Sequence, residues 1–196
     1  IAKEEDVQNF ARRIHSESSR LLSLIADIIQ LSELDYIEGR DDFENVDLLD
    51  LAHATENSLA PGAEKYGIVI SVEGEHFQTF GCRSQLEELI YNLCDNAIRY
   101  NKRNGKVSVT VFGSEGRPAI SVEDTGIGIA PEDLPRIFEN GYTGYNGRSD
   151  KKASGIGLYL CRRVCDNLGV GISAESELDK GTVIRLDLEQ YEMKKE

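Results

Sequence analysis

Two asparagines, Asn92 and Asn96, lie four positions apart in a stretch with helical periodicity. That spacing places both carboxamides on one face of a helix. Two glycine-bearing turns follow, residues 124–128 (DTGIG) and 155–158 (GIGL). Neutral oxygen donors beside backbone N–H groups that glycine leaves accessible are suited to bind the phosphates of a nucleotide and a hard cation. No single piece is specific, but the ordered set predicts a nucleotide site.

Asp124 follows directly on the apolar stretch 119–122. A carboxylate at the end of a strand can accept a hydrogen bond from an exocyclic amine such as that of adenine. Gly126 and Gly128 let the backbone approach a flat ring closely. The alternative is an ordinary surface turn, in which Asp and Gly only satisfy the turn geometry, and this motif alone does not decide between the two.

The second glycine turn opens a predicted helix, and free N–H groups at a helix N-terminus bind phosphate. Its alternative is a tight loop-to-helix turn without a ligand. Arg148, Lys151 and Lys152 precede this turn and could contact the β- and γ-phosphates. For each of these cations taken one at a time, a place on a solvated loop surface is the favoured interpretation.

Mixed helices and strands must position these residues. Residues 84–100 form the helix that carries the asparagines, with an apolar face at Leu86, Leu89, Ile90, Leu93, Ala97 and Ile98. We predict further helices at 49–66, with a kink or break at Pro61, at 131–138 and at 156–168, where Gly169 ends the helix. Predicted strands cover 43–48, 68–72, 78–82, 107–111, 119–123, 171–176 and 182–188. Residues 139–153 are glycine-rich and charged, which predicts a long loop. The pattern predicts an α+β fold, a two-layer α/β sandwich with a mostly antiparallel sheet, preceded by a long bundle helix.

That long helix covers residues 7–36, which contain no Gly or Pro. Its apolar residues follow the alternating three-and-four spacing of a bundle seam, broken only at Glu17. Further apolar residues widen the stripe and favour a four-helix bundle, so we expect the helix to need a partner or to dimerise. The break at residues 39–42 (GRDD) predicts three parts: a partial bundle at 1–38, a linker at 39–45 and a nucleotide-binding domain at 46–190.

Composition narrows the possible classes of protein. The chain has 196 residues and a formal net charge of −13, which argues against nucleic acid as a partner. It has no apolar run of membrane-spanning length and no signal peptide, and because it begins at Ile1 we expect it to be a fragment. Its four cysteines show no CxxC spacing, so reduced thiols are expected rather than a zinc site or a disulfide.

With these motifs in hand, the chain resembles the catalytic, ATP-binding part of bacterial two-component sensor histidine kinases, members of the GHKL (Bergerat-fold) superfamily. Residues 92–100 resemble the N box, 124–128 the first glycine box, 137–139 the start of the F box and 155–158 the second glycine box. Gly181 and Thr182 match the glycine-threonine pair before the last strand. Residues 1–38 resemble the second helix of the family's dimerisation and phosphotransfer bundle.

The resemblance implies ATP and Mg²⁺ as ligands and assigns roles to individual residues. Asn96 would ligate the metal, with Asn92 close to the phosphates, and Arg99 would meet phosphate; these three form the implied catalytic set. Tyr100 would pack against adenine, Asp124 would accept from its amino group, and the loop 139–153 would be the ATP lid. The full implied nucleotide-binding set is Asn92, Asn96, Arg99, Tyr100, Asp124, Gly126, Gly128, Ile129, Arg148, Lys151, Ser154, Gly155, Gly157 and Leu158.

Asn92 separates branches of the superfamily. The gyrase, Hsp90 and MutL branches carry at this position a Glu that activates water, and an amide cannot act as a base at neutral pH. We therefore expect the chain to hold ATP without rapid hydrolysis and to act as a phosphodonor, since phosphoryl transfer depends mainly on positioning and charge neutralisation. An ATPase of this superfamily and a non-catalytic, nucleotide-regulated interaction module are the alternatives.

Two departures from the family pattern matter. The phosphoacceptor motif, with His followed by an acidic residue and a later Pro, is absent, and His15 in residues 14–18 (IHSES) does not match it. We therefore expect the acceptor histidine to lie on the other bundle helix, outside this fragment. The F box also lacks its second Phe. The implied partners are a second copy, through the bundle helix, and a response-regulator receiver domain, and the implied location is the cytoplasmic part of a membrane-bound sensor.

Overall fold

The computed structural model describes residues 4–35, 43–114, 117–144 and 154–188. The first helix, α1 (Glu4–Asp35), is continuous, as its lack of Gly and Pro predicts. The large hydrophobic side chains of α1 whose surroundings are described are each at least 52% exposed: Val7, Phe10, Ile14, Leu21, Leu22, Ile25, Ile28 and Ile29. No helix among the described residues has both the length and the apolar character that crossing a membrane requires.

A five-stranded sheet forms one layer of the remaining fold. Its order is β2 (Val69–Gly74), β4 (Lys106–Ser114), β5 (Arg117–Asp124), β7 (Gly181–Asp187) and β6 (Gly171–Glu177). The β2–β4 pair is parallel and the other three pairs are antiparallel, which agrees with the mostly antiparallel sheet predicted. A separate antiparallel ladder joins β1 (Phe43–Asp47) to β3 (Gln78–Cys82).

Three helices form the second layer: α2 (Leu48–Glu64), α3 (Arg83–Arg99) and α4 (Gly157–Leu168). Their buried side chains pack on one face of the sheet, because alternate residues of the central strands point toward them. The core between the layers includes Leu51, Leu89, Leu93 and Leu160 from the helices and Val107, Val109, Ile120 and Leu186 from the strands. This arrangement confirms the predicted two-layer α/β sandwich preceded by a long helix.

Local signals in the sequence explain where two helices begin and end. Asp47 is the N-cap of α2, and its carboxylate accepts from the N–H groups of Leu49 and Asp50. Gly169 ends α4 in the left-handed conformation with φ 70°, as predicted. The start of α2 and the end of α4, two helices of the core layer, are thus each set by a local signal.

The cysteines are part of this core. All four are free thiols and buried. Burial raises the pKa of Cys94 and of Cys165 to about 12, and raises the pKa of Cys161 well above its usual value. These three thiols are therefore protonated at neutral pH and act as small hydrophobic residues.

Three local predictions need correction. Residues 131–138 do not form an α-helix but turns around a single 3-10 segment, Leu134–Arg136, since Pro135 removes the N–H that would bond one turn back. Of the kink or break predicted at Pro61, the break does not occur, since α2 continues from Leu48 to Glu64 with Pro61 inside it. Residues 43–45 of the predicted linker belong to β1. The expected break at 39–42 lies outside the described residues.

Candidate functional site

A cavity of about 420 Å³ lies where α3, the turn after β5, the start of α4 and β7 meet. Such a volume is in the usual range for a pocket that takes a small-molecule ligand. It brings together eleven of the residues expected to bind nucleotide: Asn92, Asn96, Arg99, Tyr100, Asp124, Gly128, Ile129, Ser154, Gly155, Gly157 and Leu158. Their roles toward a ligand stay predictions.

Of the other three predicted residues, only Gly126 is described, and it is not among the residues that line the cavity. Gly126 lies beside the wall: its N–H donates to Asp124 Oδ1 at 2.7 Å, and a Cβ there would come within 2.3 Å of the Tyr100 carbonyl oxygen. Gly126 therefore allows the turn to approach the end of α3. Arg148 and Lys151 lie outside the described residues, as does most of the predicted lid, residues 145–153.

Helix α3 supplies the polar wall. Leu89, Leu93 and Ala97 are buried in the core, and this orientation leaves Asn92 and Asn96 half-buried at the border, on the cavity. The helical spacing of four thus places both amides at the same pocket, as predicted. Neutral amide oxygens together with the carboxylate of Asp95 form a donor set that suits Mg²⁺, which takes oxygen ligands and keeps room for water and phosphate.

Arg99 is the cation on this wall, and it is already paired. Its Nη2 lies 2.9 Å from Asp95 Oδ2, one turn back on α3. Both side chains are about two-fifths exposed, at 39% and 37%. The pair is weak at such exposure, so an incoming phosphate can replace the carboxylate as a partner.

Asp124 ends β5 at the bottom of the cavity. Burial raises the pKa of its carboxyl group above the usual range, while hydrogen bonds from the backbone N–H groups of Gly126 and Thr182 act in the opposite direction. Those N–H donors fix the orientation of the carboxylate. One oxygen can therefore accept from an amino group of a ligand in a partly water-excluded site.

Apolar side chains complete the inner part of the cavity. Ile127, Ile129, Ile137 and Leu158 line it beside Asp124. A slot of aliphatic side chains with one fixed acceptor suits a flat heteroaromatic ring that carries an amino group. Adenine has this combination.

The first turn of α4 supplies backbone N–H groups. Its N-cap, Ile156, makes no side-chain capping hydrogen bond, and Ser154, Gly155, Gly157 and Leu158 line the cavity there. A Cβ at Gly157 would lie 3.5 Å from Asn96 Nδ2, so the two motifs are in direct proximity. A helix N-terminus without a side-chain cap, next to amide oxygens, is suited to hold phosphate and its cation together.

Several residues that line the cavity or support its lining were not in the predicted nucleotide-binding set, because only the tertiary structure brings them there. Thr182 is buried on β7 and supports Asp124, and Ser176 Oγ accepts from the Ile129 N–H at 2.8 Å. Asp133 and Tyr142 also line the cavity. The Gly181-Thr182 motif was a signal for Thr182, and the predicted lid, residues 139–153, contains Tyr142, whereas no local pattern marks Ser176 or Asp133.

Comparison with known proteins agrees with this geometry. Residues 81–192 match the family model described as histidine kinase-, DNA gyrase B- and HSP90-like ATPase. Sensor histidine kinase RppB of Synechocystis sp. is 31% identical over 186 residues, which cover 93% of this chain and 41% of RppB. The chain thus spans about two-fifths of that relative's length.

Solved structures share the fold. Full-length ShkA, in complex with AMPPNP, gives a TM-score of 0.75 at 24% identity and covers 96% of this chain and 39% of ShkA. Histidine kinase ThkA, in complex with response regulator protein TrrA, gives 0.75 at 23% identity and covers 100% of this chain and 55% of ThkA. The chain belongs to the family of histidine kinase-, DNA gyrase B- and HSP90-like ATPases, and within it resembles the sensor histidine kinases.

Proposed function

We propose that the chain binds Mg-ATP and donates the γ-phosphoryl group to a histidine on a separate bundle helix, as part of two-component signal transduction. The observation that carries this proposal is the convergence on one cavity of the Asn92–Asn96 face, the Asp124 turn and the uncapped start of α4. The asparagine face suits the phosphates and their cation, the Asp124 turn suits the adenine amino group, and the start of α4 suits phosphate. The RppB and ThkA relatives support the same class of activity.

The chemistry needs little from the protein beyond placement. A histidine nitrogen attacks the γ-phosphorus, a P–N bond forms, the bond to the bridging oxygen breaks, and ADP leaves. Asn96, with Asn92 and Asp95 beside it, would hold Mg²⁺, which neutralises phosphate charge. Arg99 would add a second cation, and the N–H groups of α4 would orient the phosphates.

Asn92 favours transfer over hydrolysis. Its amide accepts and donates hydrogen bonds but cannot remove a proton from water at neutral pH. We infer slow turnover of ATP in the absence of an acceptor histidine.

Helix α1 would provide the surface for a second copy and part of the docking surface for a receiver domain. Its exposed apolar stripe is unusual for a helix that works alone in water. His15, exposed on α1, lacks the family's acceptor motif and would not receive the phosphate.

Labelled ATP tests the proposal. We expect the chain alone to stay unlabelled with γ-labelled ATP and Mg²⁺, and a second polypeptide carrying a phosphoacceptor helix of this family to gain acid-labile label. Asn96→Ala and Asp124→Asn should each lower the transfer rate by about 100-fold or more, because each removes a charge-assisted or ligand contact in a desolvated site. Calorimetry should show ATP and ADP binding to the unmodified chain and not to these variants.

A His15→Ala variant is the control, and its transfer rate should equal that of the unmodified chain. Absence of any heat with ATP or ADP would contradict the proposal. So would label on His15, or ATP hydrolysis as fast as transfer.

A further inference from the structure

Residues 142–144 line the cavity, and the segment 139–144 to which they belong is bonded to the turn that precedes it. The Tyr142 hydroxyl donates to Asp133 Oδ1 at 2.5 Å. The guanidinium carbon of Arg136 lies 4.3 Å from the centroid of the Tyr142 ring, and its Nη2 lies 2.9 Å from Glu139 Oε2. Tyr142 is therefore held at both its polar tip and its ring face.

Asp133 is the fixed point of this contact. Its Oδ1 accepts from Tyr142, and its other oxygen, Oδ2, lies close to Gly144. A Cβ added at Gly144 would come within 2.5 Å of Oδ2. Both Asp133 and Tyr142 line the cavity, as do Thr143 and Gly144. The Asp133 carboxylate thus bonds to Tyr142 and lies against Gly144, two of the residues that line the cavity.

The other side of the same segment contacts the second glycine turn. The Gly141 N–H donates to the Gly155 carbonyl oxygen at 3.1 Å. A Cβ at Gly155, where φ is +70°, would lie 2.6 Å from the Gly141 carbonyl carbon and 2.8 Å from the Tyr142 carbonyl oxygen. The backbone of residues 141–142 is therefore in direct contact with the turn that opens α4.

We propose that Tyr142 is a positioning residue for nucleotide phosphates. Its hydrogen bond to Asp133 keeps residues 141–142 against Gly155, so the N–H groups at the start of α4 are in place before the ligand arrives. This inference rests on the proposed function, since it assumes that phosphates bind at that turn. Asp124, which would meet the adenine amino group, is held by the N–H groups of Gly126 and Thr182 and not by Tyr142.

A ligand series separates this role from a general effect on folding. Adenosine, ADP and ATP share the adenine ring but differ in the number of phosphates. Loss of the Tyr142 hydrogen bond should therefore weaken the binding of ATP and ADP and leave the affinity for adenosine unchanged. Calorimetric titration of the 196-residue chain with each ligand in Mg²⁺ measures this. We expect Tyr142→Phe to weaken ATP binding about tenfold, the fold-change that loss of one hydrogen bond to a charged group produces.

Tyr66→Phe is the matched control, because Tyr66 is 61% exposed in the turn after α2, and its three affinities should be unchanged. Asp133→Ala should reproduce the loss of Tyr142→Phe, and the double variant should lose no more than either single one. Thermal unfolding of each variant shows that it is folded at the titration temperature, and Asp133→Ala carries the test if Tyr142→Phe is not.

Equal loss for adenosine and ATP, no loss at all, or additive losses in the double variant would overturn the positioning role. Failure of the unmodified chain to bind ATP would instead overturn the proposed function on which it rests.

Discussion

The side chains of Asn92, Asn96 and Arg99 give the cavity its polar wall. The amides stay half-buried because the residues around them on α3 are buried in the core. The Arg99 side chain lies at the pocket in an ion pair with Asp95. Since an exposed ion pair contributes about 0–1 kcal/mol, the guanidinium is available to a phosphate at little cost.

The carboxylate of Asp47 makes several contacts at once. It caps α2 and also contacts His76 Nδ1 at 3.1 Å and Gln78 Nε2 at 2.7 Å. Burial acts to raise its pKa, but hydrogen bonds from the Asp50 N–H and from His76 outweigh burial and lower the pKa. The unfolded chain therefore takes up a proton at higher pH than the folded one.

This shift sets the sign of a stability change with pH. The contribution of Asp47 is complete above its unfolded pKa of about 4 and is lost as pH falls through the lower folded pKa. We expect Asp47→Ala to lower the free energy of unfolding by about 1–2 kcal/mol at neutral pH. The difference from the unmodified chain should shrink below about pH 4.

Urea unfolding at a series of pH values measures this difference in the free energy of unfolding between Asp47→Ala and the unmodified chain. Asp50→Ala removes a carboxylate from the same helix end without removing the cap, so it should cost only about 0.5 kcal/mol. A deficit for Asp47→Ala that stays constant down to about pH 2 would contradict the assigned role.

At the scale of elements, periodicity and end signals predicted most of the fold. The asparagine helix, the β4–β5 hairpin and the end of α4 at Gly169 follow from local sequence, because each is decided by nearby residues. The helix predicted at residues 131–138 was wrong, because Pro131 suits the first turn of a helix but the second proline, Pro135, removes an N–H that the helix would need.

The cavity was predicted less completely than the helices. Motifs on α3, after β5 and before α4 were found, since their residue types are informative by themselves. Ser176 and Tyr142 act through partners 47 and 9 residues away, Ile129 and Asp133. Such contacts depend on strand pairing and loop packing, which no short window of sequence contains.

The glycines on either side of α4, Gly155 before it and Gly169 after it, differ in what an added side chain would meet. Gly155 and Gly169 have the same φ of +70°, but a Cβ at Gly155 would collide with backbone atoms, whereas a Cβ at Gly169 meets nothing within 4 Å. Gly155→Ala should therefore weaken ATP binding by about 100-fold, because the turn must move away from the phosphates. Gly169→Ala should cost about 1 kcal/mol of stability and leave binding unchanged.

Calorimetry with ATP and thermal unfolding of both variants make the comparison. The same loss of ATP affinity in the two variants would show that backbone strain alone, and not the collision at Gly155, governs binding.

At the scale of the whole molecule, the exposed stripe of α1 should drive self-association. Ile14 is 52% exposed on this stripe, whereas Asn9 is an exposed polar residue on another face of the helix. Ile14→Lys would place a charge in an apolar contact between copies, so we expect it to weaken the dimer about tenfold or more. Asn9→Lys adds the same charge off the stripe and should leave the dimer unchanged.

Sedimentation velocity over a range of concentrations measures both variants against the unmodified chain. A monomer at all concentrations for the unmodified chain, or an equal effect of the two lysines, would contradict the role given to α1.

The C-terminal hairpin of β6 and β7 has a consequence for the order of events during synthesis. Its Thr182 N–H bonds to the Asp124 carboxylate, and a Cβ at Gly181 would come within 1.9 Å of the Asp124 carbonyl oxygen. The Asp179 N–H donates to the Ile127 carbonyl oxygen at 2.9 Å. A ribosome makes residues 171–187 after every other part of the site, so the growing chain has the asparagines and both glycine turns before it has a finished pocket. The capacity to hold a nucleotide therefore appears late in translation, once this hairpin has joined the sheet.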